Sequence, residues 1–371
     1  MSPPRQAMVA AMNQSPGDQA KVLRGRGATS NASGRFDAHR VEAFDDGWER
    51  LDDQPPPKTS VQADTSRSLL VYNESPDIPF DRSINPYRGC EHGCIYCFAR
   101  PTHAYLGLSP GLDFETRLFS KSNAAALLEE ALRKPGYRCE PIALGVNTDA
   151  YQPVERRLGI TRSLLEVLQR YRHPLTIVTK SALVERDLDI LGELARHNLA
   201  SVNISLTTLD GELARKLEPR AAAPHRRLQT IERLAAAGIP VSVMVAPLIP
   251  VLTDPELDTI LEAARDAGAG SAGYILLRLP LEVSELFQQW LQAHYPLKAK
   301  HVMTRVRDTR GGKDYDSRFG VRMRGSGAFA EVIGQRFRLA CRRLGLTPRA
   351  HGLDTAAFTV PKRSGEQLDL F

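Results

Sequence analysis

The stretch Cys90-Glu91-His92-Gly93-Cys94-Ile95-Tyr96-Cys97 places three cysteines in one short loop with the spacing C-x3-C-x2-C. A cubane [4Fe–4S] cluster has four irons that thiolates can ligate, so three cysteines leave one iron without a protein ligand from this loop. The spacing therefore predicts a cluster that is ligated by Cys90, Cys94 and Cys97 and has one iron open to chemistry. Gly89 and Gly93 fit a loop around a bulky inorganic core, because glycine reaches backbone angles barred to other residues.

A tetrahedral zinc site is the alternative, completed by His92, His103 or Cys139, because zinc also accepts three thiolates and one imidazole. Structural zinc sites usually join two separated pairs of ligands, whereas here all three thiols lie within one loop. The spacing favours the cluster over zinc.

The loop follows a strand-like segment, Ile84-Asn85-Pro86-Tyr87-Arg88, and the two together resemble the signature of radical S-adenosylmethionine (SAM) enzymes. In that family the cysteines hold a [4Fe–4S] cluster, the methionine part of SAM chelates the fourth iron, and one-electron reduction cleaves SAM to a 5′-deoxyadenosyl radical. The resemblance implies that Tyr96 lies near the adenine. With Asp149-Ala-Tyr-Gln-Pro-Val-Glu155 and Lys180-Ser181, the wider pattern resembles the subgroup related to spore photoproduct lyase, a DNA-repair branch.

The composition fits a soluble enzyme of the cytoplasm. Five cysteines, three of them clustered, are not a disulfide framework, and a low-potential cluster needs a reducing compartment. The N-terminus lacks the apolar stretch of a signal peptide. The best apolar run, Val241 to Leu252, is too short to span a bilayer.

The chain divides into four parts. Residues 1–65 are rich in Pro, Gly, Ser, Asp and Arg, which predicts a largely disordered segment. Short β-rich runs then alternate with helical patterns, which predicts a parallel sheet. Strands are expected at Ile142–Val146, Leu175–Thr179, Ser201–Leu206, Val241–Val245 and Gly273–Leu277, and helices at Ser122–Arg133, Thr161–Arg170, Leu183–His197, Pro224–Ala237 and Pro255–Ala267.

With the Ile84 strand these elements make six β/α units, which the resemblance closes into a partial (β/α)6 TIM-like barrel of the α/β class over residues 66–280. A basic C-terminal extension over 281–360 and a flexible tail over 361–371 follow.

The residues that follow the strands are the candidates for cofactor binding, because chemistry in parallel α/β barrels gathers at the C-terminal ends of the strands. Besides Tyr96, these candidates are Asn147, Thr148, Asp149, Lys180 and Ser205. Lys180 could pair with the methionine carboxylate, and Ser205 could donate to it or to the ribose. Alternatively, Lys180 and Ser181 only begin a helix, with Ser181 as its N-cap.

Two further charged stretches carry no catalytic signature. The loop from Tyr151 to Arg156 is interpreted as a surface turn, with Glu155 and Arg156 paired to neighbours. Surface charge is also the interpretation for Leu217-Glu218-Pro219-Arg220 and His225-Arg226-Arg227, although the resemblance suggests an edge close to the cofactor.

The chain departs from the lyase pattern at one position. The resemblance implies a hydrogen-donating cysteine just before Asn147, where this chain has Val146. Cys139 stands near the start of its strand, at the wrong end of a barrel. The thymine-dimer reaction itself is therefore not supported, and no catalytic residue is assigned.

Two C-terminal features point toward DNA. From Lys298 to Arg349 there are 14 Lys or Arg against 4 Asp or Glu, while the whole chain carries a net charge of +6. Clustered cations bind a phosphate backbone, and the nearby Tyr315 and Phe319 could stack on unpaired bases. The alternative is a solvated basic surface packed on the barrel.

The final five residues, Gln367-Leu368-Asp369-Leu370-Phe371, resemble the Q-L-x-L-F peptide by which bacterial polymerases and repair proteins dock on the sliding clamp. Leu370 and Phe371 would fill an apolar pocket while Gln367 hydrogen bonds at its rim, with Leu368 alongside. The tail therefore predicts the sliding clamp as a partner.

These features together predict a radical SAM enzyme that needs a low-potential electron donor and acts on nucleic acid in a DNA-repair-like reaction. A radical SAM enzyme that modifies a protein or small molecule is one alternative. The other is a non-catalytic iron–sulfur module associated with DNA and the clamp.

Overall fold

The computed structural model describes residues 22–36, 58–347 and 352–361. Its strands are β1 (Ser60–Ala63), β2 (Val71–Tyr72), β3 (Arg82–Ile84), β4 (Tyr87–Arg88), β5 (Arg117–Ser120), β6 (Ile142–Leu144), β7 (Leu175–Thr179), β8 (Ala200–Ser205), β9 (Val241–Leu248) and β10 (Ser271–Leu276).

Helices alternate with these strands and then continue beyond them. They are α1 (Leu112–Thr116), α2 (Ala124–Leu132), α3 (Glu155–Leu158), α4 (Ile160–Arg170), α5 (Leu188–Arg196), α6 (Gly211–Leu217), α7 (Pro224–Ala236), α8 (Leu257–Asp266), α9 (Glu282–His294), α10 (Pro296–Asp308), α11 (Val321–Arg324) and α12 (Ala328–Leu344), with 3-10 helices at Arg100–Leu106, Ala182–Asp187 and Asp254–Glu256. No helix within the described ranges is long and apolar enough to cross a membrane.

The main sheet has the strand order β10-β9-β8-β7-β6-β3-β2. Its strands from β3 to β10 pair in parallel, and β2 pairs antiparallel to β3 at one edge. Across the described residues, β2 and β10 do not pair with each other, so the sheet stays open. The prediction of an α/β fold with a partial barrel of parallel strands is confirmed.

The two faces of this sheet differ, because successive side chains of a strand point to opposite sides. Val202 and Ile204 of β8 belong to the apolar core that packs under the helices. Between them, Asn203 points to the concave face, where its side-chain amide donates to Thr176 Oγ1 at 2.8 Å. The helices cover the apolar face, and the concave face is left more polar.

A smaller sheet of order β1-β5-β4 lies beside the main one. Strand β1 pairs in parallel with β5 from Ser60↔Arg117 to Ala63↔Ser120. The interpretation of residues 1–65 as largely disordered is therefore wrong for residues 60–63, whose alternation was too short to detect. Of the same segment, residues 1–21 and 37–57 lie outside the described residues.

The C-terminal extension packs on two sides of the barrel. Helix α9 contributes Phe287 and Trp290 to an apolar cluster that includes Ile95 of the cysteine loop. Helix α12 packs Phe337 against Tyr274 of β10, with ring centroids 4.7 Å apart. The extension therefore supports both the cysteine loop and the last strand.

Many arginines of this extension are already paired with carboxylates, which the charge count alone did not reveal. The pairs are Arg305–Asp308, Arg307–Asp314, Arg318–Asp316, Arg322–Asp77, Arg336–Asp258 and Arg343–Glu262. The basic surface available to a nucleic acid is smaller than the sequence predicted.

Residues 352–361 cross the end of the sheet where the parallel strands begin. Asp354 N–H donates to the Asn198 carbonyl at 2.9 Å, and Thr359 N–H donates to the Tyr171 carbonyl at 3.0 Å. Because those two carbonyls lie just before β8 and β7, this segment lies at the end opposite to the cysteine loop.

Candidate active site at the cysteine loop

The three cysteines of the loop are free thiols, and Cys97 packs against both apolar clusters that contain the other two, Cys90 and Cys94. Burial raises the pKa of Cys90, and the charges of Asp149, Cys94 and Cys97 add to that rise. Burial also raises the pKa of Cys94, to about 12. A metal centre ligates thiolates, so binding it would remove the protons that this surrounding retains. Three thiols on one loop are the donor type that an iron–sulfur cluster uses, so the residues present fit this group by their chemistry.

The loop depends on its two glycines, as the sequence predicted. Gly89 has φ 76° and Gly93 has φ 67°, in the left-handed region that favours glycine. A Cβ on Gly89 would also lie 2.9 Å from the Phe114 carbonyl oxygen. A side chain at either position would therefore strain the loop.

Arg100 and Glu115 hold the loop from the side of the 3-10 helix. Arg100 is fully buried and donates to the carbonyls of Cys94 at 2.9 Å and Gly93 at 3.2 Å. It pairs with the buried Glu115, whose second oxygen accepts the Gly27 N–H at 3.0 Å. A buried ion pair at this place fixes the loop and also joins it to residues 22–36.

Gln152 follows the second predicted strand as a polar residue to which the sequence interpretation gave no role, and the structure makes it a positioning residue. Its Oε1 accepts the Glu91 N–H at 2.8 Å, and its Nε2 donates to the Gly89 carbonyl at 3.1 Å. These two backbone groups flank Cys90, so one amide side chain sets the backbone on both sides of a thiol. Gln152 belongs to the Tyr-Gln-Pro-Val-Glu motif, but the backbone groups that it binds are about 60 residues away in the chain.

We expect Gln152→Leu to lower the iron content of the protein reconstituted under anaerobic conditions. The change leaves the buried Glu91 N–H and Gly89 carbonyl without partners, at about 1–3 kcal/mol for each group. Iron per chain is the measurement. Gln169→Leu on α4 is the control, because Gln169 has no side-chain hydrogen bond in the described residues. Equal iron in the two variants would contradict the positioning role of Gln152.

Asp149 connects three elements instead of facing the concave side freely. Its oxygens accept from Thr179 Oγ1 at 2.7 Å and from the Lys180 N–H at 2.8 Å, and His92 Nδ1 lies 3.3 Å away. Burial alone would raise the pKa of Asp149, but His92 and these hydrogen bonds lower it to about 2. Asp149 therefore positions the neighbouring groups as a carboxylate.

Asn147 and Thr148 follow β6 and are held by Asn85, whose Oδ1 accepts both backbone N–H groups at 2.9 Å and 3.3 Å. Thr148 is buried and donates its hydroxyl to the Tyr87 carbonyl at 2.8 Å. Asn147 is exposed, so its side chain alone of these two is open to a ligand.

Lys180 and Ser205 lie at the C-terminal ends of the neighbouring strands β7 and β8. Among the described residues, the side-chain polar group of each has no ion pair or hydrogen bond. In the described part of the chain, Lys180 Nζ has no ion pair; it lies 5.9 Å from the centroid of the Tyr96 ring. Burial alone would lower the pKa of Lys180, but Cys94 and Glu218 outweigh it and raise this pKa. Ser205 is buried, and its hydroxyl has no hydrogen bond to any described residue. The Ser181 hydroxyl caps the following 3-10 helix by accepting from the Leu183 N–H, as predicted.

Glu218 and Arg227 form a buried pair beside Tyr96. The Tyr96 hydroxyl donates to Glu218, and Thr207 Oγ1 does so at 2.8 Å. Arg227 pairs with the same carboxylate and donates to the Ser205 carbonyl at 3.0 Å. Burial alone would raise the pKa of Glu218, but Arg227 and Lys180 outweigh it and lower this pKa to about 2.

The interpretation of these two charged stretches as surface charge is therefore wrong for Glu218 and Arg227, each 2% exposed. The interpretation of the loop from Tyr151 to Arg156 as a surface turn is wrong for Glu155. Its side chain is fully buried, pairs with Arg186 at 2.8 Å and accepts a hydrogen bond from the Tyr87 hydroxyl. In each case the missing information was a partner distant in sequence.

The groups proposed to complete a zinc site lie apart. His92 faces Asp149, the His103 ring nitrogen Nε2 contacts the Arg117 carbonyl at 3.0 Å, and Cys139 precedes β6 at the other end of the barrel. Across residues 22–36, 58–347 and 352–361, no three His, Cys, Asp or Glu side chains are arranged to hold a single metal ion.

Part of this chain is similar to known proteins. Residues 84–264 match the family model described as the Radical SAM superfamily. An uncharacterized protein of Mycobacterium tuberculosis is 42% identical over 221 residues, which are 59% of this chain and 65% of the relative. An uncharacterized protein of Methanocaldococcus jannaschii is 27% identical over 213 residues, 57% of this chain and 76% of that protein. The chain thus spans less than two thirds of the mycobacterial relative.

Among solved structures, spore photoproduct lyase complexed with a dinucleoside spore photoproduct is similar, with a TM-score of 0.53 and 14% identity over 78% of this chain and 81% of that one. A variant of the same lyase with bound AdoMet (SAM) and the dinucleoside has a TM-score of 0.53 and 16% identity, over 78% and 80%. At this identity the likeness concerns the fold alone.

Proposed function

We propose, from the match of residues 84–264 to the Radical SAM superfamily model, that this chain is an enzyme that cleaves SAM reductively and acts on nucleic acid. The observation that carries the proposal is the set of three mutually close free thiols on one glycine-dependent loop, beside the uncommitted Lys180 and Ser205. A non-catalytic module would not require polar groups without partners next to its cluster.

Cys90, Cys94 and Cys97 would hold a [4Fe–4S] cluster, and Lys180 and Ser205 would hold SAM. When bound and reduced by a low-potential electron donor, the cluster supplies the electron that cleaves SAM to a 5′-deoxyadenosyl radical. Lys180 contributes a positive charge for the carboxylate of methionine, and Ser205 contributes a hydroxyl donor. Tyr96, fixed by Glu218, presents its ring as an apolar wall for the adenine. Exclusion of water from this space once a substrate is bound would protect a reactive radical.

Two observations support a nucleic acid as the substrate. The fold resembles that of a lyase solved with a dinucleoside photoproduct, and the end of β10 carries cations without carboxylate partners in the described chain, Arg278 and Arg310. The thymine-dimer reaction is not part of the proposal, because Val146 stands where the resemblance implies a hydrogen donor. A protein or small-molecule substrate is the second candidate, for which the open concave face leaves room.

The test is anaerobic reconstitution followed by dithionite and SAM, with and without single-stranded and duplex DNA. We expect 5′-deoxyadenosine in every reaction and a higher yield with the substrate nucleic acid. Cleavage of SAM that no nucleic acid stimulates would favour the second candidate. The absence of 5′-deoxyadenosine would contradict the proposed activity as a whole.

We also propose that the tail residues Gln367, Leu368, Leu370 and Phe371, which lie outside the described residues, bind the bacterial sliding clamp. The support is their match to the clamp-binding peptide, together with the path of residues 352–361. These residues cross the end of the sheet opposite to the cysteine loop. A partner bound to the tail would leave the candidate active site open.

Deleting residues 367–371 should abolish clamp binding and leave SAM cleavage unchanged, because the described contacts that hold the cysteine loop come from Arg100, Glu115 and Gln152. Surface plasmon resonance on immobilised clamp measures the first effect, and 5′-deoxyadenosine yield measures the second. Asp369→Ala, at the variable position of the peptide, is the control and should bind as the full chain does. Equal clamp affinity of the deleted and full chains would refute the docking proposal.

A further inference from the structure

Arg278 lies two residues after the end of β10, on the side of the barrel that carries the cysteine loop. Its guanidinium carbon is 4.9 Å from the centroid of the Phe98 ring, a cation–π contact. Phe98 directly follows Cys97, and its side chain is 40% exposed. A group bound by Arg278 would therefore lie at the rim of the candidate active site.

The guanidinium of Arg278 has few partners. Among the described residues, no carboxylate lies within ion-pair distance of it, and its Nε is buried without a hydrogen-bond partner. Its terminal nitrogens contact the Tyr315 hydroxyl at 3.4 Å, which is long for a hydrogen bond to oxygen, and Met323 Sδ at 3.5 Å, which is a weak acceptor. A guanidinium has five N–H donors. A charged donor that has no hydrogen-bond partner in a half-buried place costs free energy. The arrangement suits an external anion.

The carboxylates near Arg278 in the described chain form ion pairs with other arginines. Arg307, Arg318 and Arg322 each pair with an aspartate, so the carboxylates near this loop are occupied. Arg310 is buried next to Arg278 and donates only to backbone carbonyls, including that of Leu277 at 2.8 Å. Among the described residues, neither guanidinium has a carboxylate within ion-pair distance, although Asp77 acts on Arg278 and Asp316 on Arg310 from farther away. The two neighbouring charges are only partly balanced, which leaves a local positive potential at the end of β10.

Phe98 and Tyr315 add flat aromatic surface to this charge. A ligand with one negative charge beside a planar ring matches both features, since planar guanidinium groups bind phosphates and aromatic faces stack on bases. A single-stranded nucleic acid presents this combination at every nucleotide. A carboxylate on a peptide would use the charge but not the aromatic surface.

We propose that Arg278 binds one phosphodiester of a single-stranded nucleic-acid substrate and that the exposed part of Phe98 contacts the adjoining base. This inference rests on the proposed function and gives it a substrate class and a position. Arg278 is then a substrate-positioning residue that sets which nucleotide stands at the cysteine loop.

The test is fluorescence anisotropy with a labelled single-stranded DNA of about ten nucleotides, within the site sizes known for such proteins. The same strand with uncharged methylphosphonate linkages is the comparison. Arg278→Gln should weaken binding of the charged strand about tenfold to a hundredfold, as expected for a charge-assisted hydrogen bond. It should also reduce the slope of log K against log salt by about 1, the value for one phosphate contact.

Arg343→Gln is the matched control, since it removes the same charge from α12, where Arg343 is 59% exposed and pairs with Glu262. Arg278→Lys should keep the salt slope while it loses part of the affinity, and thermal melting checks that each variant folds. Equal affinities of Arg278→Gln and Arg343→Gln, or an affinity loss without a change in slope, would overturn the inference and leave the proposed function standing. No binding by the unchanged chain would overturn both the inference and the nucleic-acid substrate, whereas SAM cleavage is measured separately.

Discussion

Cys94→Ala is expected to abolish SAM cleavage and to lower the affinity for iron by more than about a hundredfold, so that little iron stays bound. Changes in groups that only support a metal ligand already cost up to that factor, and Cys94 is proposed as a ligand itself. The thiol lies 8% exposed in the loop that Arg100 holds by the carbonyls of Gly93 and Cys94. Removing the side chain therefore removes a ligand without releasing the loop backbone. Iron, sulfide and 5′-deoxyadenosine are the measurements, under anaerobic conditions.

Cys139→Ala is the control for this change. Cys139 is a free thiol before β6, at the opposite end of the barrel, and burial raises its pKa to about 12 as well. Its removal should leave iron and SAM cleavage as they are. If Cys94→Ala retained the iron and the activity of Cys139→Ala, the assignment of the loop as the cluster site would be lost.

Arg227→Met is expected to destabilise the fold by about 3–5 kcal/mol, the cost of leaving a buried charge without its partner. The Glu218 carboxylate would keep the hydrogen bonds from the hydroxyls of Tyr96 and Thr207. It would lose the guanidinium that lowers its pKa. The Ser205 carbonyl would also lose a donor. Urea unfolding followed by circular dichroism gives the free energy of unfolding.

The neighbouring Arg226 offers a matched control. It pairs with Glu185 at 2.7 Å but is 31% exposed, so Arg226→Met should cost only about 1 kcal/mol or less. A double variant with Glu218→Gln and Arg227→Met should recover part of the loss, because no charge stays buried. Similar unfolding free energies for Arg226→Met and Arg227→Met would show that the buried pair does not stabilise the fold.

The fold could be predicted from sequence because its signals are local. Leu175–Thr179 was predicted as a strand with its observed bounds, and Pro224–Ala236 ends one residue before its predicted end. The cysteine spacing and the positive φ at Gly89 and Gly93 are likewise properties of one short segment. Such features need no knowledge of what packs against them.

The site's support could not be predicted, because it is built from pairs of residues far apart in the chain. Glu218 and Gln152 looked like surface residues until Tyr96 and the Cys90 backbone were placed beside them. The basic extension looked more cationic than it is, since Asp77 and Asp258 approach Arg322 and Arg336 from other elements. A polar residue in a sequence carries no sign of its burial when its partner lies elsewhere.

The segment of residues 22–36 has a consequence for how the protein can be handled. At Gly27 a Cβ would stand 1.7 Å from the Gly93 carbonyl oxygen, so the backbone of this segment lies directly against the cysteine loop. The N–H groups of Gly27 and Ala28 donate hydrogen bonds to the Glu115 carboxylate. A shortened chain that begins after residue 36 would expose the loop backbone and leave Glu115 with unmet acceptors. Expression of a chain without residues 22–36 would thus yield a damaged cofactor cradle, and these residues belong in any preparation.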